Sequence, residues 1–336
     1  FNYSKIGGNM VDSYDSVKLQ NPLLIVGIGG VGAKLAANST RNLGCECLLI
    51  SNDRRDLNPD KSKSVFIDSQ SWLNPSSHKI RSLGIYSEAK IRSSLEEHST
   101  IVLVANLAGR CGTAIAPLIS KISKEHPSKK VISFAIMPFR FEKDRIFQAG
   151  VSLRRLRESS DATVVIDNDA LLNNNPDLSL QECYDIINDA ICEVVSSISI
   201  TYIQNAVSLL CTGRQDIKST ESHVKDCLGM LYENSDPSSI RMATLYLMGG
   251  TSLPVGTLNS ISNTLQQIFK QQDVVDVSLA MPNSQSVKVH LLAAVHEKTR
   301  FDNYDPLGEV IPKENILDWD EMDSSPDIQI TIPNLE

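Results

Sequence analysis

The 336-residue sequence has no apolar run of the roughly 18–20 residues needed to cross a bilayer, and it carries no signal-peptide pattern. Direct membrane insertion is therefore not expected, and a soluble, cytoplasmic protein is. A surplus of positive charge is also missing. At a net charge of −8 the chain lacks the basic face that displaces counterions from duplex nucleic acid, so no nucleic-acid partner is expected. There is no CxxC pair and no Cys/His spacing that would hold a metal. The seven cysteines, Cys45, Cys47, Cys111, Cys183, Cys192, Cys211 and Cys227, are odd in number and scattered, and the six histidines are equally dispersed. Buried free thiols are the expectation, with no disulfides and no zinc centre. What remains, 41% apolar and 21% charged residues, is an ordinary globular composition, and the length suggests roughly two domains.

The stretch NPLLIVGIGGVGAKLAANS, Asn21 to Ser39, organises the rest. Leu23 to Val26 is a short apolar run of the kind buried on both faces of a parallel sheet, and Gly27 stops it. Gly29, Gly30 and Gly32 let backbone N–H groups approach a ligand, and a helix of small residues follows, its N-terminal amides facing an anion. This is a nucleotide loop, but it leaves the nucleotide open. Gly27-Ile-Gly29-Gly-Val-Gly32 satisfies the dinucleotide fingerprint GxGxxG, and Asp53 stands about where a ribose-binding acid belongs.

Further along, Cys45–Ile50, Ile101–Ala105, Val131–Ile136 and Ala162–Ile166 read as strands alternating with helices, which gives an α/β fold with a Rossmann-like parallel sheet. Ligands in such sheets bind at the carboxyl ends of the strands. There the chain places Asn52-Asp53, a second glycine-containing loop from Asn106 to Pro117, MPFRFEKDR from Met137 to Arg145, and Asp167-Asn168-Asp169. A helix is expected over Ser87–Glu97 and a basic one through Val151–Arg157. A long central helix is expected from Ser179 to about Ile203, its start marked by the capping box Ser179/Glu182. After a polar connector, Gln215–Lys225, strands at Met242–Met248, Val274–Leu279 and Val287–Val295 around a helix at Val255–Phe269 predict a smaller α+β domain. The expected plan is thus an arm at 1–20, a nucleotide-binding domain at 21–178, central helix and loop at 179–225, an α+β domain at 226–298, and an acidic tail at 299–336.

Taken in order, these loops resemble the FtsZ and tubulin family of self-assembling GTPases. GIGGVGAKLA is similar to the family's first GGGG-type turn, and Asn52-Asp53 to its N-[TS]-D position. Ala108-Gly109-Arg110-Cys111-Gly112-Thr113-Ala114 resembles the signature GGGTGTG[SA], with Arg110 in place of a glycine. MPFRFEKDR resembles PF-x-FEG-x-x-R with one residue fewer, DNDALL resembles PNDKLL, and Ile187-Asn188-Asp189 falls where the family reads the guanine edge. The likeness runs on to Leu247-Met248-Gly249-Gly250. A dinucleotide fold would explain the first loop and Asp53, but neither the second glycine loop nor an Asn on the central helix.

The resemblance implies GTP or GDP as ligand, with or without Mg2+. Gly29, Gly30, Gly32, Gly109, Gly112 and Thr113 would surround the phosphates, together with Asn52 and Asp53. Arg110 would clamp a phosphate, block the loop's close approach or simply face solvent. Glu142 and Arg145 would lie at the ribose and phosphates, and Asn168 and Asn188 at the base. It also implies head-to-tail self-assembly into filaments for cell division or cytoskeletal organisation. In the family, hydrolysis is completed by the next subunit, whose loop after the central helix supplies N-x-D-x-x-D. Here the matching register is Arg214-Gln215-Asp216-Ile217-Lys218-Ser219, which keeps only Asp216 as the candidate catalytic carboxylate. The family's γ-phosphate loop GAGxNPE is matched to Ser82–Glu88 in reduced form. A degenerate, non-hydrolysing scaffold therefore stands as the alternative. The tail, Asp327–Glu336, alternates Ile328, Ile330 and Ile332 with polar residues, a pattern that suits an edge strand packed on the chain's own second domain or a partner-binding peptide, and it resembles the peptide with which FtsZ proteins bind SepF-type membrane anchors.

Overall fold

Buried apolar strands and the helices that cover them form the backbone of this chain, seen here in a computed structural model that describes residues 16–57, 62–69, 74–198, 203–204, 206–214, 220–248, 255–269, 274–280 and 288–308. The first half holds β1 (Ser16–Val17), β2 (Leu23–Ile28), α1 (Gly29–Leu43), β3 (Glu46–Ser51), β4 (Lys63–Phe66), α2 (Ser77–Tyr86), α3 (Glu88–Leu95), β5 (Thr100–Asn106), α4 (Arg110–Lys124), β6 (Lys130–Ile136), α5 (Lys143–Ser159), β7 (Ala162–Ile166) and α6 (Asn168–Asn174). The central helix is α7 (Leu180–Ser196). It is followed by β8 (Ile203–Gln204), β9 (Val207–Thr212), α8 (Thr220–Asn234), β10 (Ile240–Met248), α9 (Val255–Ile268), β11 (Val274–Ala280) and β12 (Lys288–Val295), and a 3-10 turn at Arg300–Tyr304 closes the described fold.

One ten-stranded sheet runs through it in the order β11-β10-β12-β9-β7-β6-β5-β2-β3-β4. Every pairing from β4 to β9 is parallel, and β12 runs antiparallel to both of its neighbours. Apart from the edge strand β4, the parallel strands from β3 to β9 are buried on both faces along most of their length, which is why they read as largely apolar runs. The α/β reading with a mainly parallel sheet is thus observed. The expected segments share this sheet, because β9 joins β7 on one side and β12 on the other. The chain divides into compact units at 305/306; residues 299–305, placed in the tail from sequence, belong to the first unit. Seven free cysteines, five of them buried, match the expectation from spacing. Among the described residues no helix is long and apolar enough to cross a membrane.

Several elements differ from the sequence-based expectation. The arm expected to be flexible over 1–20 is held from Ser16 onward: β1 pairs antiparallel with β8, Val17 is buried, and Gln20 exchanges two 2.8 Å hydrogen bonds with the Thr100 hydroxyl. The central helix keeps its capping box but ends at Ser196, not near Ile203. The run Ile198, Ile200, Thr201, Ile203, Val207 is rich in β-branched residues, which favour strand over helix. Helix α8 begins inside the stretch read as a polar connector.

Candidate functional site

At the carboxyl end of β2 the chain passes into α1 without an intervening loop. Gly29, the first helical residue, sits at φ +69°, a conformation that disfavours side chains. Gly32 is buried, and a methyl group there would meet the Val104 carbonyl of β5 at 2.3 Å. Its role is close helix–sheet packing. Gly30 is exposed and faces Asp56: a methyl group on it would lie 2.8 Å from Asp56 Oδ1. Asp56 is in turn fixed by the Ser51 hydroxyl, which donates to Oδ2 at 2.6 Å. Sequence reasoning passed over this carboxylate and chose its neighbour. Asp53 instead caps the short turn after β3, accepting from the Arg55 amide and pairing with the Arg55 guanidinium at 2.6 Å. That guanidinium holds the Asp53 carboxyl down at about 2. Asn52 lies beside it, half-buried.

The second glycine loop leads from β5 into α4. The Asn106 side chain accepts from the Ala108 amide at 2.9 Å, and Gly109 forms the N-cap. Gly112 passes so close to the Asn106 carbonyl that a methyl group would meet it at 2.2 Å. Thr113 turns its hydroxyl inward, 2.7 Å from the Gly109 carbonyl and 2.9 Å from that of Leu107. Its hydroxyl therefore serves the loop itself. Between the first two loops lies Cys111, whose Cβ is 3.4 Å from the position of a methyl on Gly29; burial pushes its thiol up to about 11.

In front of α4 opens a cleft of about 210 Å³, lined among others by Ser76, His78, Ala108, Arg110, Thr113 and Arg145. Two guanidinium groups and the N-terminus of α2, capped by Ser76, outweigh the single lining carboxylate, Asp144, and make it attractive to an anion. The Arg110 guanidinium is exposed and donates to the backbone and side-chain oxygens of Asn74 on the opposite wall. Arg145 donates to the Ala108 carbonyl at 3.0 Å and pairs with Glu142, also at 3.0 Å. Glu142 additionally accepts from the Phe139 amide, so this pair joins α5 to the two loops.

The match of GAGxNPE to Ser82–Glu88 is corrected here. Ser82–Tyr86 is helical, within α2, and the segment preceding that helix is the one containing Asn74-Pro75-Ser76. Most of the register matched to N-x-D-x-x-D, residues 215–219, lies outside the described residues. Strand β9 lies between the central helix and Arg214, so the connection that follows α7 directly is residues 197–206, which contains no Asp or Glu. Asp216 itself lies outside the described residues. Arg214 pairs with Asp177 at 2.6 Å.

Toward β7 the surroundings become apolar. Phe139 is fully buried, stacks on the exposed Phe141 at 5.0 Å, and meets the Tyr184 ring edge-on at 5.5 Å. Asn188 is half-buried, one turn beyond Tyr184 on the same side of α7. Asn168, the first residue of α6, is 2% exposed; its amide donates to the Met137 carbonyl at 3.1 Å, while its Oδ1 is buried with no partner among the described residues. Tyr184 on α7 carried no sign in the sequence, and the Phe139/Phe141 pair, legible in the PF-x-F spacing, was not singled out. Nor were the arginines that flank Asn168. Arg300 donates to Asp167 at 2.6 Å, and the Arg140 amide donates to Asp169 at 2.8 Å. Burial pushes both carboxyls up, opposed at Asp167 chiefly by Arg300 and at Asp169 chiefly by the Arg140 amide.

Fold and cleft together define an α/β protein with an anion-accepting face at the carboxyl ends of a parallel sheet and an apolar, amide-bearing end beside it. Residues 22–176 match the Tubulin/FtsZ family, GTPase domain. The chain is similar to cell division protein FtsZ 2 of Halobacterium salinarum, 25% identical over 299 residues that cover 81% of this chain and 75% of that protein. To the FtsZ 2 of Haloferax volcanii it is 24% identical, over 73% of this chain and 67% of the relative. Among solved structures it shares the fold of an empty FtsZ dimer from M. jannaschii, with a TM-score of 0.68 at 18% identity, covering 81% of this chain and 87% of that one. A GTPgS-bound protofilament of CetZ2 from Haloferax volcanii aligns with a TM-score of 0.61 at 17% identity, covering 86% and 97%. By these matches residues 22–176 are similar to the GTPase domain of the Tubulin/FtsZ family, and the chain is FtsZ-like over most of its length.

Proposed function

We propose that this chain binds a guanine nucleotide across the carboxyl ends of β2, β3, β5 and β7 and assembles head to tail with itself into filaments that serve cell division or cytoskeletal organisation. The observation that carries the reading is the pairing of a cationic cleft with a buried, unsatisfied acceptor, Asn168 Oδ1. An acceptor suits the N1–H and amino donors of guanine, whereas the N1 of adenine is itself an acceptor; a buried acceptor left unpaired is costly, which favours the matching base. In this reading the N-terminal amides of α1 and α4 and the side chains of Arg110 and Arg145 hold the phosphates. Asn168, Asn188 and the Phe139/Tyr184 pair hold the base. Mg2+, if bound, would lie between the phosphates and Asp56. One protein carboxylate completed by phosphate oxygens and water suits that ion, which neutralises phosphate charge.

A second reading concerns turnover. Residues 197–206 offer no carboxylate to polarise an attacking water on a neighbouring subunit, which favours a nucleotide-gated filament or scaffold with slow or absent hydrolysis. Asp216 stays the candidate if the loop after β9 takes that role. Phosphate release measured over a range of protein concentrations, beside direct GTP binding and sedimentation, separates the readings. Activity per molecule that rises with concentration and is lost in Asp216→Ala supports turnover between subunits. GTP-dependent sedimentation without phosphate release supports the scaffold, and absence of GTP binding overturns both. The Ile-alternating tail is proposed as the site for a SepF-type anchor, tested by its capture on the isolated Asp327–Glu336 peptide, and the protein is placed in the cytoplasm.

A further inference from the structure

We propose that Arg300, which follows the last strand of the sheet, is a positioning residue for base recognition, acting through Asp167 to fix the turn that presents Asn168. This rests on the reading of Asn168 as the base-recognising residue. The turn after β7 has a carboxylate on either side of Asn168, and each is held by a different part of the chain. Asp167 is 2% exposed; its Oδ1 accepts from the Asp169 amide at 3.0 Å and its Oδ2 from Arg300 at 2.6 Å. Asp169 accepts from the Arg140 amide, and the Arg300 guanidinium is 3.8 Å from it and 3.9 Å from Glu233 on α8. The Cys183 thiol donates to the Asn168 carbonyl at 3.6 Å from the central helix.

A carboxylate this deeply buried needs a charged partner, and breaking one side of such a pair leaves the other uncompensated. Without Arg300, Asp167 would turn toward water or take up a proton, and either change loosens the Asp167–Asp169 turn on which Asn168 rides. The position also departs from the family pattern PNDKLL, where a proline stands in place of Asp167. A proline fixes its backbone by its ring. Here an ion pair does so from 133 positions away.

Arg300 is itself anchored. Its 3-10 turn carries a capping box between Thr299 and Asp302, and the turn is tied to α5 by Arg157 to Asp302 at 2.5 Å and Arg154 to Asp305 at 2.9 Å. The residues that lead into the acidic tail thus reach the base end of the site through one guanidinium.

The test is a double-mutant cycle on GTP affinity in the full chain, using Arg300→Gln, Asn168→Ala and their combination. Arg300→Gln is expected to weaken GTP about tenfold in the parent, the scale of one lost hydrogen bond, and to have no further effect in the Asn168→Ala background. Arg300→Lys, which keeps the charge, is expected to restore most of the affinity and covers the case in which the glutamine variant does not fold. Equal losses in both backgrounds would mean a general structural role and overturn the proposal, as would unchanged affinity in Arg300→Gln. If the parent chain does not bind GTP, the guanine reading falls with it. If the parent binds and only the cycle fails, that reading stands and the role of Arg300 does not.

Discussion

Arg110 occupies a position where the family has glycine, and its replacement by glycine decides whether the cleft is clamped or obstructed. The guanidinium is exposed and, among the described residues, is held by the oxygens of Asn74 alone, so a phosphate can compete for it. A hydrogen bond to a charged group contributes about 1.5–3 kcal/mol, and exposure to water places Arg110 at the lower end. At about 1.4 kcal/mol per decade, Arg110→Gly should weaken GTP about tenfold. The difference should shrink as salt is raised from 0.1 to about 1 M, where the screening length falls from ~10 to ~3 Å. Titration of a fluorescent GTP analogue, followed by anisotropy at both salt concentrations, measures this. Tighter binding by Arg110→Gly would show that the side chain blocks the loop, and equal binding would leave it a solvent-facing residue; either result refutes the clamp.

Three other perturbations follow from the geometry. Asp56→Asn removes the carboxylate against Gly30, so GTP binding in EDTA should tighten several-fold while the benefit of added Mg2+ disappears; an unchanged Mg2+ response in a binding titration would exclude Asp56 as its holder. Glu193 on α7 accepts from His290 at 2.6 Å and Lys288 at 2.8 Å, and although burial alone would raise its carboxyl, these partners bring it below its ordinary value. Its folded value lies below the unfolded one, so the stabilisation is present above the unfolded value, near 4.3, and is lost as pH falls through the folded one. Glu193→Gln should therefore cost about 1–2 kcal/mol at pH 7 and progressively less in acid, seen as converging melting curves; a gap that does not narrow would contradict the assignment. Gly150→Ala would put a methyl 2.6 Å from the Tyr304 backbone, and should cost about 1–3 kcal/mol by lifting the 300–305 turn off α5; a denaturation midpoint equal to the parent's would show that the turn yields freely.

How much of this was legible follows from how local each signal is. The loop at Gly27–Gly32 announces itself because a buried strand, a glycine cluster and a small-residue helix stand within a few positions of one another, and the Ser179/Glu182 capping box marked the start of the central helix for the same reason. Its end was misplaced because the apolar pattern runs on from Ile198 to Ile203, and Ile203 belongs to strand β8, whose pairing with β1 no local signal reveals. The loop before α2 was missed because Asn74-Pro75 lies in a polar stretch without periodicity. Asp56 lost to Asp53 because a motif position cannot reveal which of two nearby acids turns toward the loop. Arg300 carried no local sign at all, since its partner is 133 residues distant.

The placement of β9 has a practical consequence for anyone dividing this protein. A fragment ending after Arg214 would keep β9 paired to β7 but strip β12 from its other side, leaving the row of backbone groups along Val207–Thr212 bare beside five buried side chains. An uncovered, apolar strand edge invites pairing with other copies and aggregation. The nucleotide half of this chain should therefore come out of cells insoluble unless Lys288–Val295 is supplied with it, in the same chain or as a complementing peptide.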